Sequence, residues 1–358
     1  MHSIRTALSN SVRSRLYTTM PQTTISPFSQ AVVNAMRKLY PESLADKSFD
    51  NTGLLLESPY NSNSQLKNTV LLTTDLTKAV ADEAIARRDS IIVTYHPIIF
   101  RGLKSLTLQD PQQKSLLRLA QEGISVYSPH TAVDAVPGGM ADWLCDIVSG
   151  KFVNSSSTSS ATTTGKTEVG EYSDVIYPQP GNNTTTPSVD AHTREPVHPS
   201  PAPVPTGFEG AGAGRTLTFA TPQPLATIIE RIGAAAGNPG SISVAIPQDQ
   251  SISSISIRTV GVCPGSGGGV LMKGGQLPDL LFTGELSHHE ALAAIERGSS
   301  VVTLFHSNSE RGYLWDVMRQ KLEAALVQEL GAAATEQTGG LVAVSIADRD
   351  PFGVVVRK

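Results

Sequence analysis

Three helix–turn–strand units, each ending on a histidine, constrain this chain more than any other feature. They run from Asp89 to His96, from Gly123 to His130 and from Gly298 to His306. In the first, TKAVADEAIARR (77–88) has helical periodicity, Asp89 and Ser90 make a turn, and the β-branched run IIVTY (91–95) reads as a buried strand. In the second, a helix over about 109–121 exits at Gly123 into a strand over 124–127. Further on, DLLFTGE (279–285) reads as strand and HHEALAAIER (288–297) as helix. Gly298 is the exit, and VVTLF (301–305) is the next strand. Helices between short β-rich runs predict an α/β fold with a largely parallel sheet and helices outside. Buried parallel strands are apolar along their length, so the first polar residue marks the carboxyl end. Open α/β sheets place their sites at that edge.

The chain has 358 residues, enough for two domains at roughly 100–200 residues each. Residues 151–207 interrupt the alternation. NSSSTSSATTTGKT (154–167) is low-complexity and TREPVHPSPAPVPTG (193–207) is proline-rich. Such segments bury too little apolar surface to offset the entropy of ordering, so the whole of 151–207 is expected to be a disordered insertion. It separates an N-terminal half, 25–150, from a C-terminal half, 208–358. Residues 1–24 carry Arg5, Arg13 and Arg15 with many Ser and Thr, and no acidic residue precedes Glu42. This composition reads as a mitochondrial transit peptide; the other reading is a disordered tail with no address, and a cytoplasmic protein.

Composition also narrows the partners. The net charge is −4 and no Lys/Arg block stands out, which argues against direct contact with nucleic acid. No apolar run reaches the ~18–20 residues that span a bilayer, so no membrane partner is expected. Two cysteines, Cys145 and Cys263, sit in unrelated contexts and fit neither a disulfide framework nor a cysteine zinc site.

Three clusters carry the chemistry. In TYHPIIF (94–100), His96 follows an apolar strand and is a candidate metal ligand or general base. Alone, it is equally a strand-end histidine satisfied by a backbone carbonyl. In SPHTAVD (128–134), Asp134 is a candidate ligand with His130 beside it, or else a cap for the helix near Pro137 to Cys145. In FHSNSERG (305–312), His306 and Glu310 are four residues apart, a spacing that points both side chains one way. The competing reading there is a capping box of Ser307 and Glu310, which leaves His306 unexplained. Leu314, Val317, Met318, Leu322 and Leu326 then mark an amphipathic helix. Two imidazoles and two carboxylates without thiolate suit Zn, Fe, Mn or Co, as one ion or as two bridged by a Glu. GSGGG (265–269) lacks the Lys-Ser/Thr ending of a nucleotide loop and reads as a tight turn. Glu285, His288 and His289 either line the same cleft or, for the histidines, sit in the first turn of a helix.

These motifs resemble a known family. DNTGLLLE (50–57), YHPIIFR (95–101), HTAVD (130–134), TGELSHHEA (283–291) and HSNSE (306–310) occur in the order and spacing of the NGG-interacting factor three family. Its members are also labelled GTP cyclohydrolase I type 2 homologues. The resemblance covers both halves and implies two related α/β lobes, a dinuclear metal centre between them and a hexameric ring. It places ligands at His96, Asp134, His306 and a bridging Glu310. Bacterial relatives carry two consecutive histidines in the second motif, where this chain has Tyr95 before His96.

Two functions are compatible with this pattern. One is a metal-dependent hydrolase acting on a nucleotide or phosphorylated small molecule, with His130, Glu285 and His289 as candidates for moving protons. The other is a non-enzymatic metal-binding protein that contacts transcriptional or other regulatory partners.

Overall fold

The computed structural model describes residues 25–61, 63, 65–152, 189–237, 239–331 and 340–355. The first half contains α1 (Pro27–Leu39), β1 (Gly53–Leu56), β2 (Val70–Thr73), α2 (Lys78–Arg87), β3 (Ile91–Thr94), α3 (Pro111–Glu122), β4 (Ser125–Ser128), α4 (Thr131–Ala135) and α5 (Met140–Val148). Helix boundaries follow local chemistry. Ser26, Thr77 and Asp110 each accept a backbone N–H of the first turn of α1, α2 and α3. Gly123 ends α3 in the left-handed region at φ 80°, as its place in the sequence predicts. Ahead of β3 it is Arg88, at φ 64°, that makes the left-handed exit from α2.

The second half contains β5 (His192–Glu195), β6 (His198–Pro199), β7 (Gly212–Ala213), β8 (Arg215–Pro224), α6 (Leu225–Ala235), β9 (Ser243–Ala245), β10 (Ser256–Ser266) and α7 (Gly268–Leu271). It continues with β11 (Leu280–Glu285), α8 (His288–Glu296), β12 (Ser300–Thr303), α9 (Arg311–Tyr313), α10 (Arg319–Leu330) and β13 (Val342–Val344). A π-helical turn, Leu314–Met318, joins α9 to α10.

The strands form two mixed sheets and a separate two-stranded pair, β6-β7. The first has the order β1-β4-β3-β2-β13, parallel except for antiparallel β1 at its edge. The second has the order β5-β8-β10-β11-β12-β9, with β10, β11 and β12 parallel and the outer strands antiparallel. Period-two alternation decides what each face meets. In β2 and β3, Val70, Leu72, Ile91 and Val93 join the large central core, whereas Leu71 and Ile92 face α2 and α3. In β11 and β12, Leu280, Phe282 and Val302 point to the same central core, and Leu281 and Val301 face Ala294 of α8. Residues of α1, α5 and α10 fill the space between the two sheets, so the halves share one core. This alignment brings the carboxyl ends of β2, β3 and β4 toward those of β10 and β11.

One expectation about domain boundaries needs correction. Residues 189–207 are not a disordered part of the insertion: β5 pairs with β8, and β6 pairs with β7. Short strands tolerate this proline-rich composition because the prolines fall at strand ends and in the connections between them. The rest of the insertion, 153–188, and the presumptive transit peptide, 1–24, lie outside the described residues. The last part of 208–358 returns to the first half, where β13 lies parallel to β2.

One buried cation fastens the halves beside the future site. Arg215 at the start of β8 is 3 % exposed. It donates to the carbonyls of Ala135, Val136, Gly212 and Gly214 at 2.7–3.3 Å and lies 3.2 Å from Asp142 Oδ2. Arg215→Ala leaves these carbonyls without their donor and Asp142 without its nearest cation. Denaturant unfolding should then show a loss of about 3–5 kcal/mol; a loss below ~1 kcal/mol would show that the cation is not holding the halves together.

Candidate metal centre

The carboxyl end of β3 delivers His96, and the segment after β12 delivers His306 and Glu310. Their ligand atoms lie within 4.8 Å of one another. Glu310 is 1 % exposed, and its two oxygens face different histidines: Oε1 lies 3.4 Å from His306 Nε2 and Oε2 lies 3.5 Å from His96 Nε2. Oε2 has no hydrogen-bond partner. A buried, unsatisfied carboxylate oxygen between two imidazoles is costly unless a cation or proton compensates it. This donor set fits a divalent ion of the Zn, Fe, Mn or Co type. The capping-box alternative fails here, since Glu310 accepts no backbone N–H at that turn. The capping box of this region is formed by Ser287 and Glu290 at the start of α8.

Each histidine of the site is held by a carboxylate. His96 Nδ1 donates to Asp75 at 3.0 Å, His306 Nδ1 to Glu285 at 2.8 Å, and His130 Nδ1 to Asp50 at 2.6 Å. Such partners fix the tautomer and leave Nε2 as the available lone pair. Burial alone would lower the His96 pKa, but the Glu310 charge and the bond to Asp75 outweigh it and lift the value to about 10. The Asp75 carboxyl is held below its usual value because the bond to His96 overcomes the effect of burial.

Backbone geometry aims these groups. Phe305, immediately before His306, adopts φ 69°, and His130 itself adopts φ 33°. Non-glycine residues in this region cost about 1–3 kcal/mol each and persist where surrounding contacts enforce them. Around His306 those contacts come from the end of the chain. Asp350 accepts from Ser307 N and Oγ, while Asp348 pairs with Arg311 Nη1 at 2.6 Å and accepts from Thr74 N at 2.7 Å. Gly265 closes the other side. At φ 59°, a Cβ there would stand 2.6 Å from Glu310 Oε1 and 2.8 Å from His306 Nε2. The GSGGG segment is thus a wall of the site and not merely a tight turn.

The remaining sequence candidates fall differently. Asp134 lies beside the triad but outside it, and its Oδ1 accepts the Tyr95 hydroxyl at 2.8 Å. Burial pushes the Asp134 carboxyl up to about 7, against the opposing influence of His130 and the Tyr95 bond. It does not cap α5, which starts at Gly139 without a side-chain cap. His130 packs its ring 5.4 Å from that of His96 and 5.3 Å from that of Tyr95. Glu285 reaches the site only through His306. His289, expected as a proton carrier, sits exposed in the first turn of α8, 5.2 Å from the ring of His288. Among the described residues no hydrogen bond joins it to the triad. Asp50 and Asp75 were missed. Asp75 follows β2 at the same sheet edge as His96, so the strand-end rule used for the histidines would have found it. A cleft of about 1120 Å³ opens beside His96 and Asp75, with Lys78, Gln112 and Arg349 among its walls.

Glu310→Gln should abolish tight metal binding, whereas His130→Ala should weaken it by no more than about 10–100-fold. Metal analysis of the two purified variants checks this, and equal metal content would contradict the assignment.

Comparison with known proteins agrees with the family resemblance. The chain is 41% identical over 327 residues to the NIF3 homolog of Schizosaccharomyces pombe, covering 90% of this chain and 97% of that protein. It is 34% identical over 328 residues to the NGG1-interacting factor 3 of Saccharomyces cerevisiae, covering 90% and 96%. A crystal structure of a Bacillus cereus protein related to NIF3 has the same fold, with a TM-score of 0.60 at 18% identity over 91% of this chain and 98% of that one. The family profile described as Duf34/NIF3 (NGG1p interacting factor 3) matches residues 29–338. The chain belongs to the Duf34/NIF3 family.

Proposed function

We propose that the protein is a divalent-metal-dependent hydrolase acting on a nucleotide or similar phosphorylated small molecule in the cleft beside His96. The observation that carries this reading is the buried Glu310 oxygen left without a partner between two imidazoles. His96, His306 and Glu310 would hold the ion. A bound ion supplies Lewis-acid polarisation and lowers the pKa of water toward neutrality. The protein's own groups do the rest. Asp75 and Glu285 hold the two ligand imidazoles in one orientation. Asp50 accepts the Nδ1 proton of His130 and leaves its Nε2 able to take a proton from water. The cleft wall carries Lys78, paired with Asp82, and Arg349 beside the carboxylates of Asp348 and Asp350.

The test is a hydrolysis screen of the metal-loaded protein over nucleotides and phosphoesters. Release of product is expected, lost in Glu310→Gln and reduced about 10²–10⁴-fold in His130→Ala. A metal-loaded protein that cleaves none of them would overturn the hydrolase reading.

A second reading rests on the surface. Phe100, Leu103, Leu106 and Leu108 are all exposed on the loop between β3 and α3, near the free edge of β1. Exposed apolar clusters of this kind mark contacts with other chains. The Saccharomyces cerevisiae relative is named as an interacting factor. The reading is that this loop joins copies of the chain into a homo-oligomer. Light scattering should then give a mass above that of one chain, reduced by Leu106→Asp with Leu108→Asp; a wild-type monomer would refute it.

A further inference from the structure

We propose that each chain holds a single divalent ion, on His96, His306 and Glu310, and that Tyr95 keeps the neighbouring Asp134 carboxylate out of the ligand set. The inference rests on the metal-binding reading of the triad and specifies its stoichiometry. By residue type, Asp134 is the natural fourth ligand, and with Glu310 it would complete a site for a second ion. The structure uses it otherwise. The Tyr95 hydroxyl donates to Asp134 Oδ1 at 2.8 Å, and Asp134 is not among the groups whose ligand atoms converge.

Tyr95 has little freedom to let go. It is 3 % exposed. Its amide donates to Thr73 O at 2.8 Å, and its carbonyl accepts from Ser128 Oγ at 2.8 Å. Its ring packs against those of His96 and His130, at centroid distances of 4.8 and 5.3 Å. If Asp134 turned to a metal ion, the phenol O–H would be left buried without an acceptor. A buried donor without a partner is strongly disfavoured. A neutral phenol is also a poor ligand for borderline divalent metals compared with imidazole. The position between Tyr95 and Asp134 is therefore filled by a hydrogen bond. The converging set of two histidines and one carboxylate leaves coordination positions open on the ion it holds, as catalytic metal sites require.

Four proteins test this, each stripped of metal and titrated with Zn²⁺ by calorimetry, with metal analysis after desalting. Wild type should bind one equivalent tightly. Asp134→Asn, which preserves an acceptor for Tyr95, should still bind one. Tyr95→His should gain a second equivalent, because it supplies an imidazole and releases Asp134. Should Tyr95→His fail to fold, as judged by circular dichroism, Tyr95→Phe replaces it and should gain a weaker second equivalent. Two tight equivalents in wild type, loss of the ion in Asp134→Asn, or one equivalent in the Tyr95 variant would each overturn the proposal. No binding by folded wild type would instead overturn the metal-binding reading on which it stands.

Discussion

The site is organised by the burial of one carboxylate. Glu310 is withdrawn almost entirely from water, yet one of its oxygens receives no hydrogen bond. Such an arrangement is stable only if positive charge is brought to it. His96 arrives from one sheet and His306 from the neighbourhood of the other, and each presents Nε2 to a different oxygen. A second tier of carboxylates, Asp75 and Glu285, holds the far side of each ring. The resulting row alternates acid, imidazole, acid, imidazole, acid. Each member depends on its neighbours for orientation.

The architecture exists to make that row close. Each sheet alone delivers only part of it. The two sheets stack on a shared helical layer so that their carboxyl edges meet, and Arg215 ties the carbonyls behind α4 to the start of β8. The last described segment then crosses back, with Asp348 and Asp350 bracketing the residues on either side of Glu310. Asp348 also accepts from Thr74, one residue before Asp75. A single carboxylate thus registers one end of the row, at Asp75, against its centre, at Glu310.

Much of this was legible in the amino-acid sequence. The strands ending on His96, His130 and His306 are short β-branched runs bounded by turn residues, and that signal is local. The triad itself came from the spacing of His306 and Glu310 and from the strand-end position of His96. What escaped notice was long-range. Nothing local to Asp50 announces that it will meet His130, 80 residues away. Tyr95 and Asp134 were both singled out, but the bond between them depends on how α4 lies against β3. Residues 189–207 look disordered because proline content hides short edge strands. The pairing of β13 with β2 is invisible because three hydrophobic residues specify no partner.

That last pairing bears on how the protein is made. Strand β13 follows every other described strand in sequence, yet it flanks β2 in the sheet that begins to emerge first. Until it arrives, one side of β2 presents unpaired backbone groups, and the core beneath it lacks Val342 and Val344. The N-terminal sheet therefore cannot reach its final form as an autonomous unit while synthesis is under way. Completion of the first sheet waits for residues 342–344.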